Sequence, residues 1–403
     1  MSNTQKKNVP ELRFPEFEGE WEEKQFADFT KINQGLQIAI NERKTEYSPE
    51  LYFYITNEFL RPNSQTKYFI ENPPQSVIAN KEDILMTRTG NTGKVVTNVF
   101  GAFHNNFFKI KFDKNLYDRL FLVEVLNSSK IQNKILSLAG SSTIPDLNHS
   151  DFYSISSSYP LLREQQKIGK FFSKLDRQIE LEEQKLELLQ QQKKGYMQKI
   201  FSQELRFKDE NGNDYPDWEE KQLGELSQIV RGASPRPIKD PKWFNKESDI
   251  GWLRISDVTN QNGKIYHLEQ KLSIEGQEKT RVLVTTHLLL SIAASIGKPV
   301  MNFVKTGVHD GFLIFLNPKF NLFFMYYWLE YFKDKWSKYG QPGSQVNLNT
   351  EIVKSQTLNM PSNHEQEKVG QFFNRNEKLI ELQQEKIMYL KRRKQVLLQK
   401  MFI

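Results

Sequence analysis

The sequence predicts an α+β protein written twice: two pseudo-two-fold-related globular halves, each containing short strands, held apart by two long antiparallel helices that form a coiled coil. Three observations predict it. Short segments recur in the same order about 200 residues apart, and the forty residues after Pro160 match those after Pro361 at a constant separation of 201. Within both matching segments apolar residues recur at alternating intervals of four and three, the spacing of a helix seam.

The repeat is carried by recognisable words. ELRF occurs at Glu11 to Phe14 and again at Glu204 to Phe207, and WEEKQ at Trp21 to Gln25 and Trp218 to Gln222. Gly35 lies opposite Gly232, Ile55-Thr56-Asn57 opposite Ile255-Ser256-Asp257, and the run Asp83 to Lys94 opposite His287 to Lys298, both runs ending in Gly-Lys. A helical segment, Tyr117 to Leu138, corresponds to Leu322 to Tyr339. Glu164-Gln165 then matches Glu365-Gln366, Gly169-Lys170-Phe171-Phe172 matches Gly370-Gln371-Phe372-Phe373, and Gln198-Lys199-Ile200-Phe201 matches Gln399-Lys400-Met401-Phe402. The halves differ far more before these tails than within them.

In the first tail the seam falls on Ile168, Phe172, Leu175, Ile179, Leu186 and Leu189, and in the second on Val369, Phe373, Ile380, Ile387, Leu390 and Leu397. A helix of roughly 38 residues spans about 57 Å at 1.5 Å per residue, too long for one ordinary domain, so each narrow stripe needs a partner of similar length. The other tail is the obvious one. Glu182 and Gln383, and Lys193 and Lys394, fall at equivalent seam places, where they either fix register or touch solvent. Ser362-Asn363-His364-Glu365 offers a capping box to the second helix, while the first opens after Pro160 without an obvious cap.

Each half reads as strands followed by helix. Asp83 to Met86, Lys94 to Thr97 and Phe107 to Phe112 precede the first helix; Leu288 to Ile292, Lys298 to Phe303 and Phe312 to Leu316 precede the second, whose Phe324, Tyr327, Trp328 and Phe332 read as core. Loops beside these strands carry small polar and basic residues suited to phosphates and base edges: Thr87, Arg88, Thr89, Asn91, Thr92, Lys94, Asn105 and Asn106 in the first half. The second half offers Arg231, Ser234, Arg236 and Lys239, with Ser291, Ser295, Lys298, His309 and Asp310 near strand ends.

Composition narrows the possible partners. With 56 Lys and Arg against 49 Asp and Glu, the chain carries +7, a surplus that favours polyanions. The absence of cysteine excludes disulfides, thiolate metal sites and cysteine nucleophiles, and fits the cytoplasm. The N-terminal MSNTQKKNVPELRF has no apolar stretch after its basic residues, and no run approaches the roughly 18 apolar residues that span a bilayer, so no membrane association is expected.

Signatures of catalysis are incomplete. Asn72-Pro73-Pro74 resembles the tetrapeptide with which adenine methyltransferases hold a flipped base, but Gln75 stands where those enzymes place an aromatic. Gly93-Lys94 and Gly297-Lys298 look like the end of a phosphate loop, yet Val95 and Pro299 follow where Ser or Thr should hold magnesium. Pro216-Asp217 with Glu219 and Lys221 suggests a nuclease only superficially, because the first repeat lacks the Pro-Asp. The six histidines show no metal-ligand spacing.

Two diverged α+β halves, each followed by a long helix opening Glu-Gln-x-Lys-Ile/Val-Gly-x-Phe-Phe, closely resemble the specificity (S) subunits of Type I restriction-modification systems. The Gly232 to Pro235 turn and Trp252-Leu253-Arg254-Ile255-Ser256-Asp257 strengthen the likeness, which covers nearly the whole chain; the first half lacks the Ser-Pro that follows the glycine in the second. The resemblance implies an N-terminal segment at 1–19, target recognition domains at 20–160 and 204–361, and spacer helices at 161–203 and 362–403. It further implies double-stranded DNA as ligand, one half of a bipartite target for each domain, and a spacer set by the helices. Two methylation (M) subunits and, in the full complex, restriction (R) subunits are the implied partners. S-adenosylmethionine, ATP and magnesium would belong to those partners, leaving this chain non-catalytic and without a cofactor. A coiled-coil scaffold whose basic globular ends bind protein or RNA is the competing reading; helices and charge permit it, but it gives no reason for two diverged strand-rich halves.

Overall fold

The computed structural model describes residues 8–61, 64–140, 143–293, 295–339 and 348–403. The first seven residues of the expected N-terminal segment lie outside them. The chain divides into two compact units, one formed by residues up to 183 together with 385–403, the other by 184–384.

In the first unit an antiparallel sheet runs in the order Thr30–Gln34, Phe107–Phe112, Ile84–Thr87, Val95–Val96. The unbroken apolar run at Ile84 to Met86 is buried on both faces. On one face Ile84, Met86, Phe108 and Ile110 meet Phe121, Leu122 and Val125 of the helix Arg119–Asn127. A second sheet, in the order Tyr68–Ile70, Tyr52–Ile55, Gly101–Phe103, Ile78–Ala79, contains one parallel pairing. The single helix expected over Tyr117 to Leu138 is two, Arg119–Asn127 and Ser129–Leu138. Ser128 adopts extended backbone between them and accepts a hydrogen bond from Ile131 N–H, capping the second helix while ending the first.

The second unit repeats the plan. Its five-stranded sheet follows the order Gln228–Arg231, Phe312–Leu316, Leu288–Ser291, Pro299–Asn302, Lys264–Ile265, beside a three-stranded sheet of Gly251–Leu253, Thr306–Val308 and Arg281–Leu283. The helix Leu322–Phe332, capped by Asn321, buries Phe324, Tyr327, Trp328 and Phe332 as expected, and passes into a 3-10 segment, Lys333–Tyr339, where one continuous helix was predicted.

The repeated words form equivalent joints. WEEKQ supplies the strand Glu22–Gln25, antiparallel to Ser156–Tyr159, and the strand Glu219–Gln222, antiparallel to Thr357–Met360. The arginine of ELRF reaches the helix-opening glutamate: Arg13 to Glu164 at 2.7 and 2.8 Å, Arg206 to Glu365 at 2.8 and 3.2 Å. The next residue in each helix, Gln165 or Gln366, accepts a hydrogen bond from the N–H of Asp118 or Asn321, the residue that caps the domain helix. Gly169 and Gly370 let that cap press against the long helix, since a Cβ would stand 2.5 Å from Asp118 Oδ1 or 2.9 Å from Asn321 Oδ1. Ser362 caps its helix by accepting from Glu365 N–H, but the Glu365 carboxylate turns to Arg206 and Trp218, so only half of the expected capping box forms.

Glu365 has no exposed side-chain surface. We expect Arg206→Ala to cost about 1.5–3 kcal/mol, because it leaves that charge with the Trp218 N–H in place of a guanidinium. Urea melts would read the loss, and an unchanged midpoint would refute the joint.

The long helices are Leu162–Phe201 (40 residues) and Asn363–Met401 (39 residues). Within the first unit segments 162–183 and 385–403 run antiparallel: Phe172 meets Phe402, Leu175 and Ile179 pack with Leu390, Asp176 pairs with Lys394, and Glu182 with Lys386 at 2.5 Å. Within the second unit Lys193 pairs with Glu377, Tyr196 meets Phe372, and Phe201 stacks on Phe373. Of the seam residues, Ile168 and Phe172, and likewise Val369 and Phe373, enter the domain cores. Ile380, Ile387 and Leu390 are buried, whereas Leu186, Leu189 and Leu397 remain half-buried. Lys193 and Lys394 do not face solvent; both are enclosed in ion pairs.

Candidate nucleic-acid interface

Each unit gathers its candidate loops at one end of its larger sheet. In the first unit Gln34 pairs with Phe108 and Thr87 with Phe107, so the loops leaving Gln34 and Thr87 and the loop entering Phe107 lie side by side. In the second, Arg231 pairs with Leu313 and Ser291 with Phe312, which brings together the loop at 232–236, the described residues 292–293 and 295–298, and the loop at 309–311.

The runs ending in Gly-Lys are tight turns of the same construction. Thr87 and Ser291 are fully buried. Thr87 N–H donates to Lys94 O and Ser291 N–H to Lys298 O, both at 2.9 Å, while Gly93 and Gly297, at φ +87° and +77°, donate back to Thr87 O and Ser291 O at 2.8 Å. The hydroxyls serve the turns, Thr87 through Asn91 O and Ser291 through Ala293 O. Of the first-half candidates, Asn91 and Lys94 are exposed. Arg88 lies over the Phe108 ring and binds Asp146 at 2.6 Å, the Thr89 hydroxyl donates to the same carboxylate, and Thr92 donates to Pro145 O, so these three brace the loop. In the second half Ser295 lies within the half-buried turn, and Lys298 reaches Asn262 at 3.2 Å; burial first, then Lys333, lowers the Lys298 pKa.

A second equivalence joins Gly35 to Gly232. A Cβ on Gly35 would meet Phe103 O at 2.2 Å, and one on Gly232 would meet His309 O at 2.1 Å, so each glycine permits one backbone to cross another. Beyond the crossing stands a histidine, His104 or His309, whose Nδ1 accepts the N–H of Asn106 at 3.1 Å or Gly311 at 2.9 Å. Burial lowers both histidines, His104 to about 4 with help from Arg43, so at neutral pH the rings are uncharged and the Nδ1 acceptor leaves their proton on Nε2.

The residue after each histidine pairs with the residue two beyond each glycine. In the first unit Asn105 Nδ2 donates to Gln37 Oε1 at 3.0 Å. In the second the Ser234 hydroxyl donates to Asp310 Oδ1 at 3.0 Å, and Arg236 reaches Asp310 Oδ2 at 2.5 Å. Burial pushes Asp310 upward, but the Ser234 hydroxyl and the Arg236 and Arg231 guanidiniums outweigh it, and its pKa is lowered. Arg231 donates to Asp310 O at 2.6 Å. Sequence reading found Asn105, Ser234 and Arg236 but gave Gln37 no role; its place two beyond the repeated glycine was the available signal.

Beside this cluster the second unit has an open cleft of about 580 Å³ lined by Lys239, Phe244, Trp252, Arg254, Gln270 and His309, among others. Arg231, Arg236 and Lys239 are exposed around it. Asn72, at φ 43°, and the following prolines form a turn that leads into a 3-10 helix. Among the described residues no group of three His, Asp or Glu side chains is placed to hold a metal, and no helix is long and apolar enough to cross a membrane.

The family described as the Type I restriction modification DNA specificity domain matches residues 18–191 and 215–392. The chain is 26% identical over 407 residues to the Type I restriction enzyme MjaVIII specificity subunit of Methanocaldococcus jannaschii, covering 93% of this chain and 90% of that one. In fold it is similar to a solved S subunit of a Type-I restriction-modification system from M. genitalium, with a TM-score of 0.61 at 16% identity over 98% and 99% of the two chains. It is also similar to a chain from a structure concerned with complex assembly and conformational transition of the type I R-M system, with a TM-score of 0.56 at 16% identity over 94% and 97%.

Proposed function

Because the chain belongs to the Type I restriction-modification DNA specificity family, we propose that it reads a bipartite target in double-stranded DNA, one half through residues 20–160 and the other through 204–361. The observation that carries this reading is the paired loop cluster. Two domains of one plan present unlike polar side chains, Gln37 with Asn105 and Ser234 with Asp310 and Arg236, at equivalent strand ends. A shared frame with different reading groups is what two half-sites of different sequence require. Exposed Lys94, Asn91, Arg231 and Lys239 beside these groups suit phosphate contacts.

The long helices set the unread spacer and dock two methylation subunits. Support for docking comes from apolar residues that the helices leave outside their seam at heptad intervals: Leu181 and Leu188, then Leu382, Tyr389 and Val396, all at least 40% exposed. S-adenosylmethionine chemistry then belongs to the methylation subunits, ATP and magnesium to restriction subunits, and address alone to this chain.

Replacing residues 20–160 by the corresponding segment of another family member tests the assignment. Sequencing of methylated sites, with the cognate methylation subunit present, is expected to show one half of the motif changed and the other retained. If both halves change together, the domains do not read independently.

A further inference from the structure

The equivalence of the two loop clusters permits an assignment at the level of single bases. Each cluster holds one long polar side chain against a shorter partner. In the first unit Gln37 is exposed, and its Oε1 is fixed by Asn105 Nδ2 at 3.0 Å. In the second unit the position equivalent to Gln37 is Ser234, too short to reach outward, and it binds Asp310 instead. The long side chain there is Arg236, two residues later, with one guanidinium nitrogen on Asp310 Oδ2 at 2.5 Å and 69% of its side chain exposed. Asn105 and Asp310 follow histidines whose Nδ1 accepts a backbone N–H two residues on, so each support stands within a hydrogen-bonded turn.

We propose that Arg236 reads a guanine in one half-site and Gln37 an adenine in the other, with Asp310 and Asn105 as their positioning residues. The inference rests on the DNA-specificity reading above. A guanidinium fork matches the O6 and N7 acceptors of guanine, and a carboxamide matches the N6 donor and N7 acceptor of adenine. An arginine already bound to a carboxylate, or a glutamine whose oxygen is already held, surrenders less rotamer freedom on meeting the base. Asp310 is ionised and half-buried, and it anchors through one nitrogen an Arg236 side chain that is otherwise mostly exposed.

Arg236→Gln, Arg236→Lys and, separately, Gln37→Ala are to be assembled with the cognate methylation subunit and the methylated sites sequenced. Arg236→Gln and Arg236→Lys are expected to relax a single guanine position in one half-site, with discrimination there falling about 10- to 100-fold, and the lysine variant keeps the salt dependence of binding. Gln37→Ala is expected to relax a single adenine position in the other half-site. Either arginine variant overturns the assignment if it weakens every site equally, leaves the motif unchanged, or lowers the melting temperature together with all binding. If the unaltered chain yields no bipartite motif, it is the family-level reading that fails, and the base assignment falls with it for a distinct reason.

Discussion

A Glu377→Ala variant is expected to lose about 3–5 kcal/mol of stability in the second unit, because it leaves the buried Lys264 without a carboxylate and takes one of two carboxylates from Lys193. Glu377 is buried, with Lys264 at 2.6 Å, Lys193 at 3.4 Å and the Tyr327 hydroxyl donating at 2.7 Å. Burial pushes the carboxyl upward, yet Lys193, Lys264 and Tyr327 outweigh it and its pKa is lowered, so the charge is present throughout the neutral range. Lys193 keeps Glu330 at 3.0 Å, and Lys264 keeps only the neutral Asn374 and Tyr327. Urea unfolding followed by hydrogen exchange on peptides of residues 184–384 would measure the loss. Replacing Lys264 by Met in the same variant should recover part of it; a single variant as stable as the parent would show that the cluster carries no net weight.

The first unit is expected to respond to pH in the opposite sense. Here one lysine, Lys394, serves two carboxylates, Asp176 at 2.7 Å and the buried Glu124 at 3.1 Å, and burial raises Glu124 from 4.5 to about 7 with Asp176 adding to the rise. The folded unit therefore retains a proton that the unfolded chain has released between pH 4.5 and 7. The resulting stability is complete below pH 4.5 and disappears as pH rises through about 7, a change of about 3 kcal/mol at 1.36 kcal/mol per unit. Glu124→Gln should remove most of this slope without disturbing the second unit, as hydrogen exchange at pH 5 and pH 8 would reveal. A slope identical in the variant would place the titration elsewhere.

The two networks occupy equivalent places, which shows where sequence stops being informative. Lys193 and Lys394 match in the repeat, as do Asp176 and Glu377, and so a repeated joint was visible in outline. Its charge balance was not, because Lys264 and Glu124 arrive from a strand and a helix far away in the chain. The tails were legible because a heptad seam is local. The same holds for the strands at Phe107 to Phe112 and Phe312 to Leu316, which appear where the apolar runs stand. ELRF and Glu-Gln were legible as words but not as a joint, since Arg13 and Glu164 lie 151 residues apart. The break at Ser128 was readable from cap preferences and yielded to the stronger apolar periodicity on either side. Thr87 and Ser291 looked like ligand contacts because small hydroxyls suit phosphates, whereas the tight Gly-Lys turn needs those hydroxyls for its own backbone.

Residues 385–403 complete the first unit: Met401 and Phe402 close over Trp21, Phe121 and Phe172. The second unit, by contrast, is one uninterrupted stretch of chain. During synthesis the amino-terminal unit is therefore expected to lack the residues that cover Trp21, Phe121 and Phe172 until the second long helix emerges, so that the part made first is completed last.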